Sequence, residues 1–597
     1  MQSTQTLLNK LQQMESAANG DIAYIHDLEN LYEQLAGQGL ELSQDFLRAR
    51  NIFRVKNAHL MQQPRPKILL GLINSEHFPN FHTVPLMRVA DVVSITTTVP
   101  KSNEVDRLHL TIGNTSLSDA IDRLPSGFGP DLYWDPQICG ASVLPIGLEK
   151  LPFPTVGGLC HQHLTLSIEN FSHFYDFLCP LSARYVELVG NAFPDKIILD
   201  LPFGGNWGSF KDIIPPLDDT ERDIDLLLSF SNSSEGAYGA FRKKTHTLFE
   251  AFKKKYGSRY NLVAISGLTR TEYIQHLRRS KIALNSVGQH GPYNYRTCEI
   301  MNAGAAMMQY DAVFPIGDLK LDQYFRDGTE AVLFDEGNFE HKLLDLLENP
   351  EKAKAIAQAG QHRMNTEYSY ESIYRMLIQQ VQDKAASTKP RTLTREQAVN
   401  HRIAGLFHAP QSHKKPYALY HAMLHSLQTQ TSMEHALLAQ FDLLRADIFT
   451  PLLMKIVRDD ALTTMIQQQT LSGLDGLYQR IAEPTIVDRW NVVMHRLRLG
   501  VCDNDMLAQI RDDLKGSDQA EHLLNATSLI YIPKVPQLDT EAAAKAELNH
   551  LSTQYLLAGN DASQKDKILK AYMCEIADLA LAYTGQRPKP IEGLRLA

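Results

Sequence analysis

The stretch from Lys281 to Asp311, KIALNSVGQHGPYNYRTCEIMNAGAAMMQYD, constrains the fold more than any other. Ile282 to Asn285 reads as a buried strand, and Gly288, Gly291 and Pro292 open a loop after it. A helix is predicted from about Tyr295 to Asn302, a turn at Gly304 and a second strand from Ala306 to Tyr310. A strand that runs through a glycine loop into a helix start is a general anion site. Backbone N–H groups and the positive end of the helix dipole converge there. Glu299 lies about one turn into the helix, where a carboxylate can accept hydrogen bonds from vicinal hydroxyls such as those of a ribose. Phosphate on the backbone and sugar hydroxyls on an acid suggest a nucleotide ligand. The alternative is an ordinary αβ crossover with an acid near its helix start.

The rest of the chain frames this unit. Residues 1–62 have helical spacing (Leu7, Leu8, Leu11, Met14, then Leu28, Leu31, Tyr32, Leu35) and are expected to form a helical segment for packing or partner binding. From Lys67 the texture changes to KILLGLI, a run typical of a strand covered on both faces. Further strands are expected within Val89–Val99, Pro130–Asp135, Pro154–Leu166, Asp176–Ser182 and Lys196–Gly204, with helical pieces such as Ser116–Leu124 between them. This alternation predicts a parallel α/β domain over 63–215. Ligands of such sheets gather at the carboxyl ends of the strands, which brings Ser75, Glu76, His77, Asp135, His161 and His163 toward one crevice.

The Gly- and Pro-rich segment Leu201–Asp219 reads as a hinge, and a second α/β domain is expected over 216–388. In it the strand DLLLSF enters a polar loop, Ser231 to Ser234, before a basic helix bearing Arg242. Lys389–Ala398 reads as a linker, with Thr394 and Gln397 at capping-box spacing. Beyond this linker the chain is nearly all helical in pattern and carries no fixed-period repeat, so 389–597 is expected to form a C-terminal all-helical domain.

Composition mainly excludes. A net charge of −9 gives no electrostatic case for nucleic acid or anionic membrane. Cys139, Cys160, Cys179, Cys298, Cys502 and Cys574 are scattered without a C-x-x-C pair, as expected of reduced thiols rather than a disulfide framework or zinc site. The polar N-terminus is unlike a signal peptide, and no run approaches the 18 apolar residues of a membrane span, so a cytoplasmic protein is expected.

Four blocks in the second α/β unit resemble the CgeB-like (spore maturation protein) group of the family 1 glycosyltransferases. They are YNYRTCEIMNAGAAMMQYD (Tyr293–Asp311), YFRDGTEAVLFDE (Tyr324–Glu336), LLENPEKAKAIAQAGQHRM (Leu346–Met364) and EYSYESIYRMLI (Glu367–Ile378). The resemblance covers about Asp223 to Asp383 and implies a GT-B fold, in which two Rossmann-like domains face each other across a hinge. It implies that Glu299 binds the ribose, that Tyr293, Asn294, Tyr295 and Arg296 form the turn at the diphosphate, and that Ser231 and Asn232 face the cleft. Gly267 and Leu268 then follow the strand whose end cradles the base. His290 and Arg242 are further candidates near the phosphates. The position where many relatives carry a second acid, eight residues before the glutamate, is Gly291 here, so stereochemistry does not follow from the resemblance.

The implied activity is metal-independent transfer of a sugar from a nucleotide-diphosphate sugar to a glycan or protein acceptor, without a cofactor. His161 or His163 is expected as the base, with Glu76 and Asp135 as weaker candidates; their H-x-H spacing also suits a metal ion, although no third ligand is evident. A non-catalytic nucleotide- or glycan-binding protein whose helical tail docks a partner is the competing class. A sugar-nucleotide epimerase of the same fold is a third.

Overall fold

The computed structural model describes residues 4–18, 21–38, 43–62, 64–71, 78–96, 99–110, 116–136, 144–159, 171–180, 183–201, 222–230, 239–286, 294–311, 324–389 and 391–394, a few isolated positions and, in the C-terminal third, mainly 504–516. The expected hinge over Pro202–Pro216 lies outside these residues, as does most of the expected helical domain over 389–597.

The first α/β unit is built on seven strands: β1 (Lys67–Leu70), β2 (Asp91–Thr96), β3 (Arg107–His109), β4 (Leu132–Asp135), β5 (Thr155–Leu159), β6 (Phe177–Pro180) and β7 (Ile197–Ile198). Their order is β3-β2-β1-β4-β5-β6-β7, and all pairs are parallel. The second unit has β8 (Ile224–Leu228), β9 (Leu262–Ala264), β10 (Ser280–Asn285), β11 (Ala306–Tyr310) and β12 (Val332–Phe334), in the parallel order β12-β11-β10-β8-β9. Strands β4, β5, β6 and β11 are buried at every position, as the unbroken apolar runs require of strands covered on both faces.

Helices α1 (Thr4–Ala18), α2 (Ile22–Gly37) and α3 (Gln44–Lys56) precede the first sheet. They are more than an appendage. Asn51 on α3 donates to Val92 O (2.9 Å) and accepts from Val92 N (2.8 Å), completing β2 just before its pairing with β3 begins. Arg54 is buried between Glu29 on α2 (2.7 Å) and Asp91 at the start of β2 (3.0 Å). A buried guanidinium needs both partners, since an unpaired charge there costs several kcal/mol, on the order of 3–5. This pairing explains why the second strand starts at Asp91, while Val89 ends helix α4 (Phe78–Val89).

The expected helix over Ser116–Leu124 is a single turn, α5 (Leu117–Ala120), followed by a 3₁₀ turn over Ile121–Arg123; Pro125 sits just beyond. Helix α6 (Ala183–Ala192) links β6 to β7. The second unit carries α7 (Gly239–Tyr256), α8 (Arg270–Arg279), α9 (Tyr295–Asn302), α10 (Phe339–Glu348), α11 (Pro350–Thr366) and α12 (Tyr370–Lys384). The Thr269–Glu272 capping box of α8 is present in both directions. In the C-terminal third the structure describes α13 (Asn504–Gly516).

Helix α12 crosses back to the first unit. It packs on α4, Glu371 pairs with Arg88, Tyr374 meets Trp134 edge-on (6.5 Å between centroids), and Gln380 Nε2 donates to Asp200 O (3.0 Å). One apolar cluster therefore runs from Leu70, Met87 and Trp134 to Leu227, Ile300 and Leu377. The chain beyond α12 also returns: Arg391 pairs with Asp176 and donates to Thr155 Oγ1 (2.9 Å) and to the carbonyls of Leu151 and Phe153. The expected Thr394–Gln397 reciprocal cap is formed (2.9 and 3.1 Å).

Candidate functional site

In the second sheet the strand order reverses between β8 and β10, and the crevice at the carboxyl ends of these two strands is where doubly wound sheets bind ligands. Asn285 ends β10, fully buried. Its Nδ2 donates to Thr297 Oγ1 (3.1 Å) and Gln309 Oε1 (2.8 Å), and its Oδ1 accepts from Ser286 N (2.9 Å) and from an Arg296 nitrogen (3.4 Å). Asn294 Nδ2 donates back to Ser286 O (2.9 Å). These bonds tie the start of α9 to the end of β10, so side chains on the first turn of α9 are held at fixed positions over the crevice.

Asn294 is the N-cap of α9, and its Oδ1 accepts from Arg296 N (3.0 Å) and Thr297 N (3.3 Å). Two of the amides expected to face a phosphate are thus engaged within the protein, which shifts the anion-holding role toward side chains. Arg296 is placed for it. Its guanidinium lies 4.8 Å from the ring centroid of Phe230, which follows β8, and its buried Nε has no hydrogen-bond partner among the described residues. Arg242 on α7 approaches the same ring at 6.0 Å. Phe230 is itself held by His246, whose ring stands edge-on at 5.3 Å and whose Nε2 bonds to Phe230 O (2.9 Å). Two guanidinium groups thus gather at one aromatic ring as a cationic platform.

Glu299 is 6% exposed, one turn along α9 from Arg296. Its Oε2 accepts from the hydroxyl of Tyr273 on α8 (2.8 Å). Burial, and then the charge of Glu299, raise the Tyr273 phenol well above its ordinary pKa, so it stays a protonated donor. The crevice therefore combines an oriented carboxylate with two cations, a set that can hold a diol beside a phosphate.

Tyr295 is half-buried and packs toward the cluster shared by the two units. Gly267 has φ +75° and nothing within 4 Å of where a Cβ would sit, so its backbone turn alone calls for glycine. Leu268 is half-buried beside it, past the end of β9. Asp135 ends β4 in the first sheet, at the β1–β4 reversal of strand order, but its carboxylate is fully buried and accepts from the Tyr175 hydroxyl (2.8 Å). An acceptor hydroxyl would reach it only after that cover moved. Glu76, His161, His163, Ser231, Asn232, His290 and Tyr293 lie outside the described residues. Tyr273 and Phe230 belong to the site without a motif to mark them. Their positions follow from strand ends and a helix face, and their partners come from distant segments.

Residues 242–379 match a protein-family model described as Glycosyl transferase-like. This span contains Arg242, Tyr273, Asn285, Arg296 and Glu299. Strands β9 to β12 of the second parallel sheet lie within this span, so the second α/β unit carries a domain of the glycosyl transferase-like class. No curated protein matches the chain. Similar solved structures include a sucrose-phosphate synthase from Thermosynechococcus elongatus, at 11% identity over 54% of this chain and 100% of that one, with a TM-score of 0.35. The HepE protein of Anabaena in complex with UDP-glucose is 11% identical over 53% of this chain and 99% of that one, with a TM-score of 0.33. A glycosyltransferase from Rickettsia africae is 9% identical over 55% and 100%, with a TM-score of 0.35. Among the described residues no helix is long and apolar enough to cross a membrane.

Proposed function

We propose that this chain transfers a sugar from a nucleotide-diphosphate sugar to a hydroxyl or amide of a glycan or protein acceptor, and that it belongs with the CgeB-like group whose four sequence blocks it resembles. The observation that carries the reading is the convergence of Glu299 with the Arg296–Phe230–Arg242 platform at the β8–β10 reversal. In this reading Glu299 takes the ribose hydroxyls and the two guanidinium groups face the diphosphate.

The acceptor oxygen or nitrogen attacks the anomeric carbon and gives its proton to a base. The bond from that carbon to the phosphate oxygen breaks, and the nucleoside diphosphate leaves with the electron pair. Negative charge grows on the leaving group, so preorganised cations lower the barrier most where that charge develops. Arg296 and Arg242 supply this charge without a metal ion. The base is assigned to the first unit, with His161 and His163 as first candidates, and the helical tail to acceptor docking.

A thermal-shift series with UDP, GDP, CDP and their sugars, on the native protein and on Glu299→Ala, tests the reading. Stabilisation by one base family, lost in the variant, is the expected result. Absence of stabilisation by every nucleotide would sink it and favour a non-catalytic role. Release of free sugar isomer without transfer would favour an epimerase.

A further inference from the structure

We infer that Tyr273 is the positioning residue for ribose recognition, acting through Glu299; the inference rests on the nucleotide reading above. The Tyr273 hydroxyl lies 2.8 Å from Glu299 Oε2 and joins two helices that meet nowhere in sequence. Helix α8 links β9 to β10, and α9 links β10 to β11. Both connections step in the same direction across the sheet, so right-handed crossovers put both helices on one face, where they touch. Tyr273 thus meets Glu299 where the two helices touch.

A glutamate has three side-chain torsions, and a vicinal diol is read only if the carboxylate plane is held in register with it. The tyrosine hydroxyl supplies that restraint on one oxygen. A carboxylate oxygen carries two lone pairs, so the bonded oxygen keeps capacity for a second donor. The phenol is held protonated by its burial and by the neighbouring charge, so it donates across the neutral range. Removing the hydroxyl leaves the ring and the helix packing in place but takes away this restraint on the carboxylate.

The test is isothermal titration of the full-length protein with UDP, GDP and CDP, and then of the diphosphate that binds against its 2′,3′-dideoxy counterpart. The native protein should prefer the ribose form by about tenfold or more, the weight of one to two hydrogen bonds to a charged group. Tyr273→Phe should cut that preference to about twofold and leave the affinity for the dideoxy form unchanged, which also shows that the variant's site is folded. Glu299→Gln should lose the preference as well. Full retention of the ribose preference in Tyr273→Phe would overturn the inference and leave the nucleotide reading standing; Tyr273 would then merely staple α8 to α9. A native protein that binds the dideoxy form equally well would remove Glu299 from ribose recognition and Tyr273 with it. A native protein that binds none of the three would overturn the nucleotide reading itself.

Discussion

At the scale of single residues, the candidate site relies on charged groups whose neighbours prevent them from moving. Arg296 is held between the Phe230 face and Asn285, and lysine reproduces neither the planar stacking nor the fork of donors. Arg296→Lys is therefore expected to lower kcat for sugar transfer by about 10²-fold, the usual effect of removing one preorganised charge contact. Steady-state kinetics with the nucleotide sugar found by thermal shift would check it, and an unchanged kcat would remove Arg296 from the chemistry. A second residue-scale feature lies outside this site. His173 and His401 stack at 4.0 Å where the chain returns to the first unit, and both pKa values are depressed from 6.5, to about 3 and about 4, chiefly by burial. The unfolded chain binds protons below about pH 6.5 that the folded protein refuses until about pH 4, so stability falls as pH falls through this window. Melting temperatures measured from pH 7 to pH 4 should fall less steeply in His173→Phe, because one refusing imidazole is gone. An identical slope would contradict the buried neutral pair.

Individual elements are set by caps and close approaches. Helix α9 begins at Asn294 because its side chain satisfies two amides of the first turn. Asn294→Ala should cost about 1 kcal/mol, as cap removals do, in chemical denaturation. It should also weaken nucleotide binding, since the same turn carries Arg296. Helix α11 lies against the segment before β12, and a Cβ at Gly360 would sit 2.5 Å from Glu330 O. Gly360→Ala must push the helix off the backbone beneath it, an overpacking cost of about 1–3 kcal/mol that a shift in denaturation midpoint would reveal. This glycine lies inside a helix that periodicity predicts well, yet the pattern gives no hint that another backbone passes within contact distance.

For the whole molecule, the two α/β units are joined by more than the segment between them. Helix α12 belongs to the second unit by sequence but packs on α4 of the first, where Glu371 pairs with Arg88 and both side chains are at most 14% exposed. Glu371→Gln leaves a buried guanidinium short of its charge and should lower stability by about 3–5 kcal/mol. If the two units unfold as one body through this helix, the variant should split a single denaturation transition into two. A single transition at an unchanged midpoint would show that the contact does not couple them.

Much of this architecture was readable in the order of residues. Runs such as KILLGLI and KIALNS, each bounded by polar or glycine-bearing loops, mark strands covered on both faces, and their alternation with helices leaves a parallel sheet as the outcome. The capping pairs at Thr269–Glu272 and Thr394–Gln397 were legible for the same reason: they are made within four residues. Glu299 and Arg296 could be singled out because a loop-to-helix junction concentrates positive potential on a short stretch. What spacing cannot encode is which distant side chain completes a local one. Arg54 meets Asp91, Tyr273 meets Glu299, Arg296 meets Phe230, and Arg391 meets Asp176 across 26 to more than 200 positions of chain. Each pairing is a consequence of strand order. That order is selected by burying both faces of two sheets at once, a global packing condition that no short window of sequence contains.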